Sequence, residues 1–362
     1  MPEISRGLGP PLAPLSETAT FPRSHSRSRH QTVPQFSIRN FQFSINPMPI
    51  ESQIGPIGLG TFAMGGADWK ASWGPQDDQA SIATIHQALD AGISWIDTAP
   101  AYGLGVAETV LGKALAERSE KPFIATKLGR CWNEQRQLGS NLDPDSIRQE
   151  CEDSLRRLGV DVIDLYQIHW PIPDEGTEDA WSTVAELKQA GKIRYAGVSN
   201  FSVEQLKRCQ PILPIDTLQS PLSLLQPALL ETIIPYCREQ NIQVLAYSPM
   251  QKGLLLGKVS PSWVDSLSSD DHRKNDPLFQ EPRLRAINQQ VEAAKELAES
   301  KGLTLQQVVV GWTTSIRGVA AAILGCRTPE QAQAAAACQN IRLDAETITA
   351  VEQIFGVRQT RE

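Results

Sequence analysis

The chain has 362 residues, 41% of them hydrophobic and 21% charged, with 34 Lys and Arg against 41 Asp and Glu for a formal net charge of −7. That length suits one large α/β barrel or two smaller domains, and the apolar share predicts a packed core rather than global disorder. A net-acidic chain lacks the basic face of a phosphate-backbone binder, so no nucleic-acid partner is expected. The best apolar run, Gly318 to Cys326, falls well short of the ~18–20 residues that cross a bilayer, so no membrane partner is expected either.

Residues 1–47 hold seven Pro, seven Ser and five Arg against two acidic residues, Glu3 and Glu17. Such a composition buries too little apolar surface to offset the entropy of ordering, which predicts disorder. Two readings of it are open: a transit peptide, Arg- and Ser-rich and poor in acid, or a passive extension ahead of a working protein that begins at Met48. The folded part is expected over residues 48–362.

From there strand and helix signals alternate. Ile57–Thr61 reads as a strand, followed by a helix over Asp78–Ala91 that Gly92 stops. A strand at Ser94–Asp97, a helix at Val106–Glu117 and a strand at Phe123–Lys127 come next. Asp143 and Pro144 open a helix as N-cap and first residue, and Gly159 closes it. The pattern continues with strand Val162–His169, helix Glu178–Ala190, strand Ile193–Val198, helix Val203–Cys209, strand Thr217–Gln219, helix Pro227–Gln240 and strand Gln243–Tyr247. A long polar loop over Ser260 to Gln280 has the length of a lid, and its Asp270–Lys274 charge run reads as solvated. Helices Arg283–Ser300 and Leu305–Thr313 then lead to an eighth strand at Ala321–Leu324. Eight strands with helical partners predict a closed parallel (β/α)8 TIM barrel. An open dinucleotide-binding sheet would need G-x-G-x-x-G after its first strand, and no glycine cluster here has that spacing.

A barrel of this kind builds its site at the carboxyl ends of its strands. Those ends carry Asp97 (with Tyr102 in the loop beyond), Lys127, His169, Ser199 and Asn200, Gln219, and Tyr247 and Ser248. Each residue type alone has a structural reading: a turn aspartate, a snorkelling lysine, a satisfied histidine. Together the fold projects them into one mouth. The six cysteines, Cys131, Cys151, Cys209, Cys237, Cys326 and Cys338, form no C-x-x-C pair and lack histidines at ligand spacing, so no metal is expected. Scattered cysteines without a secretory segment point to a reduced, cytoplasmic protein, unless residues 1–47 direct it to an organelle.

Several segments resemble the aldo-keto reductase family: Ile96–Gly103 with Glu108 and Gly112–Leu115; Leu155, Leu158, Gly159, Asp161, Asp164 and Leu165 with His169-Trp170-Pro171; Gly197–Phe201; and Tyr247-Ser248-Pro249 with Gly253, Leu254, Gly257 and Lys258. The resemblance runs from about Ile57 to the C-terminus. It implies a catalytic tetrad of Asp97, Tyr102, Lys127 and His169, reducing a small-molecule carbonyl with a nicotinamide cofactor. A free tyrosine holds its proton to about pH 10, and a neighbouring Lys127 ammonium would favour the phenolate and sharpen Tyr102 as an acid. The resemblance further implies that Ser199, Asn200 and Gln219 hold the carboxamide and that Tyr247 stacks on the ring. Ser248, Met250, Lys252, Gly253 and Lys258 would lie by the diphosphate. Gly325, Arg327 and Gln331 would grip an adenosine 2′-phosphate at a helix start, which implies NADP(H). The family's Glu-Asn pair is replaced by Ala334 and Ala335, which weakens the contacts to adenine. Trp69, Trp73, Trp132 and Trp170 are expected to wall the substrate pocket. Two other functions stay open: a nucleotide-sensing protein of the same fold with little turnover, and a Schiff-base lyase or aldolase using Lys127.

Overall fold

The computed structural model describes residues 48–67, 69, 72–268 and 271–357. The segment 1–47, with its two readings, lies outside the described residues. Eight parallel strands close a barrel: β1 (Ile57–Gly60), β2 (Trp95–Asp97), β3 (Phe123–Leu128), β6 (Ile163–Ile168), β7 (Ile193–Ser199), β8 (Thr217–Pro221), β9 (Gln243–Tyr247) and β10 (Val319–Gly325), which returns to pair with β1. Between β3 and β6 a short antiparallel hairpin, β4 (Arg130–Trp132) and β5 (Leu138–Ser140), projects from the carboxyl end. It has no signal in the sequence, because three-residue strands carry too little alternation.

The helices begin where side chains can satisfy free backbone N–H groups. Helix α1 (Asp78–Asp90) is capped by Asp77, α2 spans Val106–Ala116, and α3 (Pro144–Leu158) has Asp143 as its cap, Pro144 first and Gly159 left-handed at its end. Next come α4 (Thr177–Gln189) and α5 (Val203–Cys209), the latter opened by a reciprocal Ser202–Gln205 capping box. The helix expected over Pro227–Gln240 is instead a 3-10 turn at Ala228–Glu231 followed by α6 (Ile233–Glu239). Pro235 explains the break. It cannot donate to the carbonyl four residues earlier and its ring clashes there, so it is accommodated only in a first turn.

The expected loop over 260–280 also differs. It contains α7 (Pro261–Asp265) and 3-10 turns at His272–Asn275 and Pro277–Phe279. Of the run read as solvated, Asp270 lies outside the described residues, but Asp271 is 2% exposed and pairs with Arg273 at 2.6 Å. The guanidinium of Arg273 stacks between Trp73 and Trp263, 4.6 and 5.1 Å from their ring centres. A charge run looks solvated in sequence because the rings that cover it are remote. Long helices α8 (Arg283–Ser300) and α9 (Leu305–Ser315) precede β10, and α10 (Pro329–Ala336) and α11 (Ala345–Phe355) close the chain.

Strand pleat sorts the side chains. Ile96, Ile124, Tyr166 and Val198 face the helical layer and join the main core. Trp95, Ala125, Leu165, Tyr195, Leu245, Ala321 and Ile323 form a second cluster, closed below by Ile50 and Ile54. Asp97, Lys127, Gln167, Ser199 and Tyr247 lie two residues or a multiple of two further along those same strands, and Gln219 on β8 is in register with Ser199, so they share the inward parity. No helix among the described residues is long and apolar enough to cross a membrane. No group of three or more His, Cys, Asp or Glu among them is placed to hold a metal ion.

Candidate active site

At the carboxyl end of the barrel Lys127 is fully buried, Asp97 is 3% exposed and Tyr102 8%. The Lys127 Nζ donates to both Asp97 carboxylate oxygens at 2.9 and 2.8 Å, to the Thr98 carbonyl at 2.9 Å and to the Tyr102 hydroxyl at 3.2 Å. Gln219 Nε2 donates to Asp97 Oδ1 at 2.7 Å. The His169 ring lies edge-on to Tyr102 at 5.8 Å, and its Nδ1 is shielded with no partner among the described residues. The four residues singled out at three strand ends thus meet around one phenol.

Tyr102 is set by a close backbone approach. Gly103 adopts φ +65°, and a β-carbon there would lie 2.0 Å from the Gly65 carbonyl oxygen, so the tyrosine loop sits directly on the turn after β1. Thr61 donates to the Thr98 hydroxyl at 2.8 Å and supports the same loop. One layer below, Gly197 leaves room for Gln167 and Thr217, whose side-chain polar atoms are buried without partners among the described residues.

The electrostatics differ in one respect from the expectation. The ammonium beside Tyr102 favours phenolate, but burial first and the Asp97 charge second hold the phenol well above its usual pKa. Asp97 offsets the very charge that was to sharpen the acid. Burial, followed by the charges of Lys127 and Arg130, keeps His169 well below its ordinary value and therefore neutral. Burial draws Lys127 below its usual value, against the opposing charge and hydrogen bond of Asp97. Its Nζ is engaged as an ion-pair donor, which argues against a free amine for imine chemistry.

The family model described as "Aldo/keto reductase family" matches residues 56–355. The chain belongs to the aldo/keto reductase family. It is 40% identical over 281 residues to the aldo-keto reductase YhdN of Bacillus subtilis, covering 77% of this chain and 83% of that protein. It is 33% identical over 313 residues to the NADH-specific methylglyoxal reductase of Escherichia coli, covering 82% and 94%. Among solved structures it resembles the glycerol dehydrogenase AKR11B4 from Gluconobacter oxydans, with a TM-score of 0.77 and 38% identity over 84% of this chain and 92% of that one.

In this aldo/keto reductase the residues expected at the nicotinamide cluster beside the tetrad. Asn200, at φ +63°, donates to the His169 carbonyl and to Ser199 Oγ, each at 3.0 Å, and accepts from the Tyr247 hydroxyl at 2.8 Å. A left-handed asparagine locked by three hydrogen bonds is a rigid platform. Beyond β9, Ser248, Gln251, Lys252 and Gly253 all have positive φ, so the chain turns tightly over the mouth. A β-carbon on Gly253 or Gly325 would have nothing nearer than 4.0 Å, which leaves the backbone open to a ligand at both places. Met250 packs on the core.

Three residues assigned to the cofactor have surroundings that the sequence did not show. Lys252 pairs with Asp276 at 2.7 Å, both largely buried, so its charge is shared with the segment after α7. Lys258 is exposed. Arg327 donates to Gln76 Oε1 at 2.8 Å and to the carbonyls of Trp73 and Pro75 at 2.9 and 2.6 Å, which joins the first loop to the eighth strand. A guanidinium has five N–H groups, so two stay uncommitted among the described residues. Gln331 Oε1 accepts from the Arg327 N–H at 2.8 Å. Ala335 is buried and Ala334 exposed.

The tryptophans divide. Trp69 and Trp73 flank Phe62 at 5.1 and 5.6 Å, and Phe62 lies edge-on to Tyr102 at 5.1 Å. Trp132, on the hairpin, faces the Arg157 guanidinium at 5.9 Å, and Trp170 is half-buried beside His169. Phe62, Thr98 and His272 had no sequence signal: one follows a short strand, one hides in the tetrad motif, one in the charge run.

Proposed function

We propose that this protein is an NADP(H)-dependent reductase that converts an aldehyde, ketone or sugar carbonyl to the alcohol, with Tyr102 as general acid. The reading rests on the Lys127–Tyr102 contact within a buried ion pair. The bound nicotinamide supplies the hydride for the carbonyl carbon. Ser199, Asn200, Gln219 and Tyr247 would hold its nicotinamide end, the backbone from Ser248 to Gly253 its diphosphate, and Gly325, Arg327 and Gln331 its adenosine. The phenol is protonated at neutral pH and donates to the developing alkoxide; Lys127 stabilises the phenolate left behind. Neutral His169 orients the carbonyl by a hydrogen bond.

The two free N–H groups of Arg327 favour a 2′-phosphate, whereas one relative is named NADH-specific, so both cofactors belong in the test. Loss of NADPH absorbance is followed with small aldehydes, diketones, aromatic aldehydes and aldoses, with NADH and Tyr102→Phe alongside. The expected outcome is turnover with NADPH that falls roughly 10²–10⁴-fold in the variant with cofactor binding retained. Retained turnover in the variant removes Tyr102 as the acid, and binding without turnover on any carbonyl or alcohol turns the reading to a nucleotide sensor.

A further inference from the structure

Besides His169, two ring nitrogen atoms near Tyr102 are shut off from solvent without a hydrogen-bond partner among the described residues: Trp73 Nε1 and His272 Nδ1. Trp73 is expected in the wall of the substrate pocket, but neither nitrogen has a part in the chemistry above. Trp73 comes from the loop between β1 and α1, and His272 from the 3-10 turn after α7. Their rings lie 6.2 Å apart, and both touch Phe62, at 5.6 and 6.4 Å. Phe62 meets Tyr102 at 5.1 Å, so one ring separates the pair from the phenol.

Native folds pair the great majority of buried polar atoms, because leaving one unsatisfied is costly. Two such atoms on adjacent rings therefore point to a polar partner that the described residues do not supply. Their chemistry narrows what it is. Indole nitrogen only donates, whereas a neutral imidazole offers one donor and one acceptor. Burial first, then the Lys252 charge, hold His272 down to about 4, so it is neutral at physiological pH. Arg273 is matched by Asp271 and Lys252 by Asp276, and Arg327, the third cation nearby, is assigned above to the adenosine end of the cofactor, so a neutral partner is the one favoured at the two nitrogens. A hydroxyl, donor and acceptor at once, fits. Trp73 is also tied in place, since Arg273 stacks on it at 4.6 Å and Arg327 binds its carbonyl; because both nitrogens are closed to solvent, a hydroxyl reaches them only as the two rings part.

We propose that Trp73 Nε1 and His272 Nδ1 form a second-oxygen subsite that binds a hydroxyl borne by the substrate away from its reacting carbonyl. Hydroxyaldehydes and hydroxyketones are then preferred over their deoxy counterparts. The proposal rests on the reductase reading and assigns Trp73 and His272 as specificity-determining residues.

The test compares kcat/KM for matched pairs, propanal with 2-hydroxypropanal and butanal with 3-hydroxybutanal, in the wild type, His272→Phe and Trp73→Phe. NADPH affinity is measured by fluorescence in each protein, and folding by thermal melting. Aromatic replacements keep the ring packing and remove the nitrogen. The wild type is expected to favour at least one hydroxylated partner by about 10-fold or more, and each variant to cut that ratio roughly 3- to 10-fold, the range of one neutral hydrogen bond, with NADPH affinity kept. Equal treatment of both pairs by the wild type, or a ratio that survives both substitutions, overturns the subsite. A loss of NADPH affinity with the ratio intact also overturns it and assigns the two nitrogens to a cofactor hydroxyl. Reduction of plain aldehydes without preference sinks the subsite alone, whereas no turnover of any carbonyl sinks the reductase reading and the subsite with it.

Discussion

Burial opposes charge on every member of the tetrad that titrates away from its usual range, and the direction suits reduction. Tyr102 is held up and His169 held down, so the acid keeps its proton and the imidazole stays neutral throughout the physiological range. The expected profile for carbonyl reduction is flat from about pH 6 to 8, with alcohol oxidation rising at higher pH as the phenolate becomes accessible. An inflection near the ordinary histidine value in the reduction profile would contradict the neutral His169. Glu150 on α3 is a second perturbed group, raised from 4.5 to about 7 by burial, against hydrogen bonds from the Gly129 N–H and Ser146 hydroxyl. A raised carboxyl pKa means the folded state binds the extra proton. Stability therefore falls as pH rises from about 4.5 to about 7 and is level above. At 1.36 kcal/mol per pKa unit the full shift corresponds to about 3 kcal/mol, and partial exposure of the side chain reduces this to roughly 1–3 kcal/mol. Glu150→Gln keeps an acceptor for Gly129 and should abolish this slope in urea unfolding at pH 5 and 7.5.

At the scale of elements, the segment after β9 shows how an irregular stretch is tied to a barrel. Its 3-10 turns hold few backbone hydrogen bonds of their own, and side chains bind them: Arg273 between two indoles, Asp271 under Arg273, and Lys252 on Asp276. Each cation–aromatic contact contributes about 0.5–2 kcal/mol. Arg273→Ala should speed amide hydrogen exchange at residues 271–279 roughly 10-fold or more while the barrel strands keep their protection. Uniform loss of protection across the chain would mean that the segment opens only with global unfolding. The same stretch marks the limit of sequence reading. Its charges are local in the chain, but the rings that bury them come from positions 73 and 263. The helix broken ahead of Pro235 is a different case, since that proline is a local signal and confines α6 to begin just before it.

For the molecule as a whole, the inner cluster supports the catalytic layer from below. Trp95 is fully buried two residues before Asp97, its indole donates to the Gly55 carbonyl at 2.9 Å, and a β-carbon on Gly58 would lie 2.3 Å from its ring. The glycine is there because the tryptophan fills the barrel axis. Trp95→Ala should cost about 3–5 kcal/mol and lower the melting temperature by roughly 6–15 °C. A loss under about 1 kcal/mol would show that the barrel is not held by this plug.

The resemblance to the family pointed to Asp97, Tyr102, Lys127 and His169, and the amino-acid sequence by itself determined the periodic elements, the helix caps and the closed eight-strand barrel. These follow from local rules: alternation along a strand, a capping side chain, and a strand end that always faces the same mouth. Only the tertiary structure decided what the charges do. It set Asp97 against Lys127 so that Tyr102 is held up, turned Lys252 and Arg327 towards Asp276 and the first loop, and buried Arg273 and His272 against Trp73. The reason is physical. Periodicity is written in neighbouring residues, whereas desolvation and ion pairing depend on groups tens to hundreds of positions apart, and no local pattern records which of them will meet.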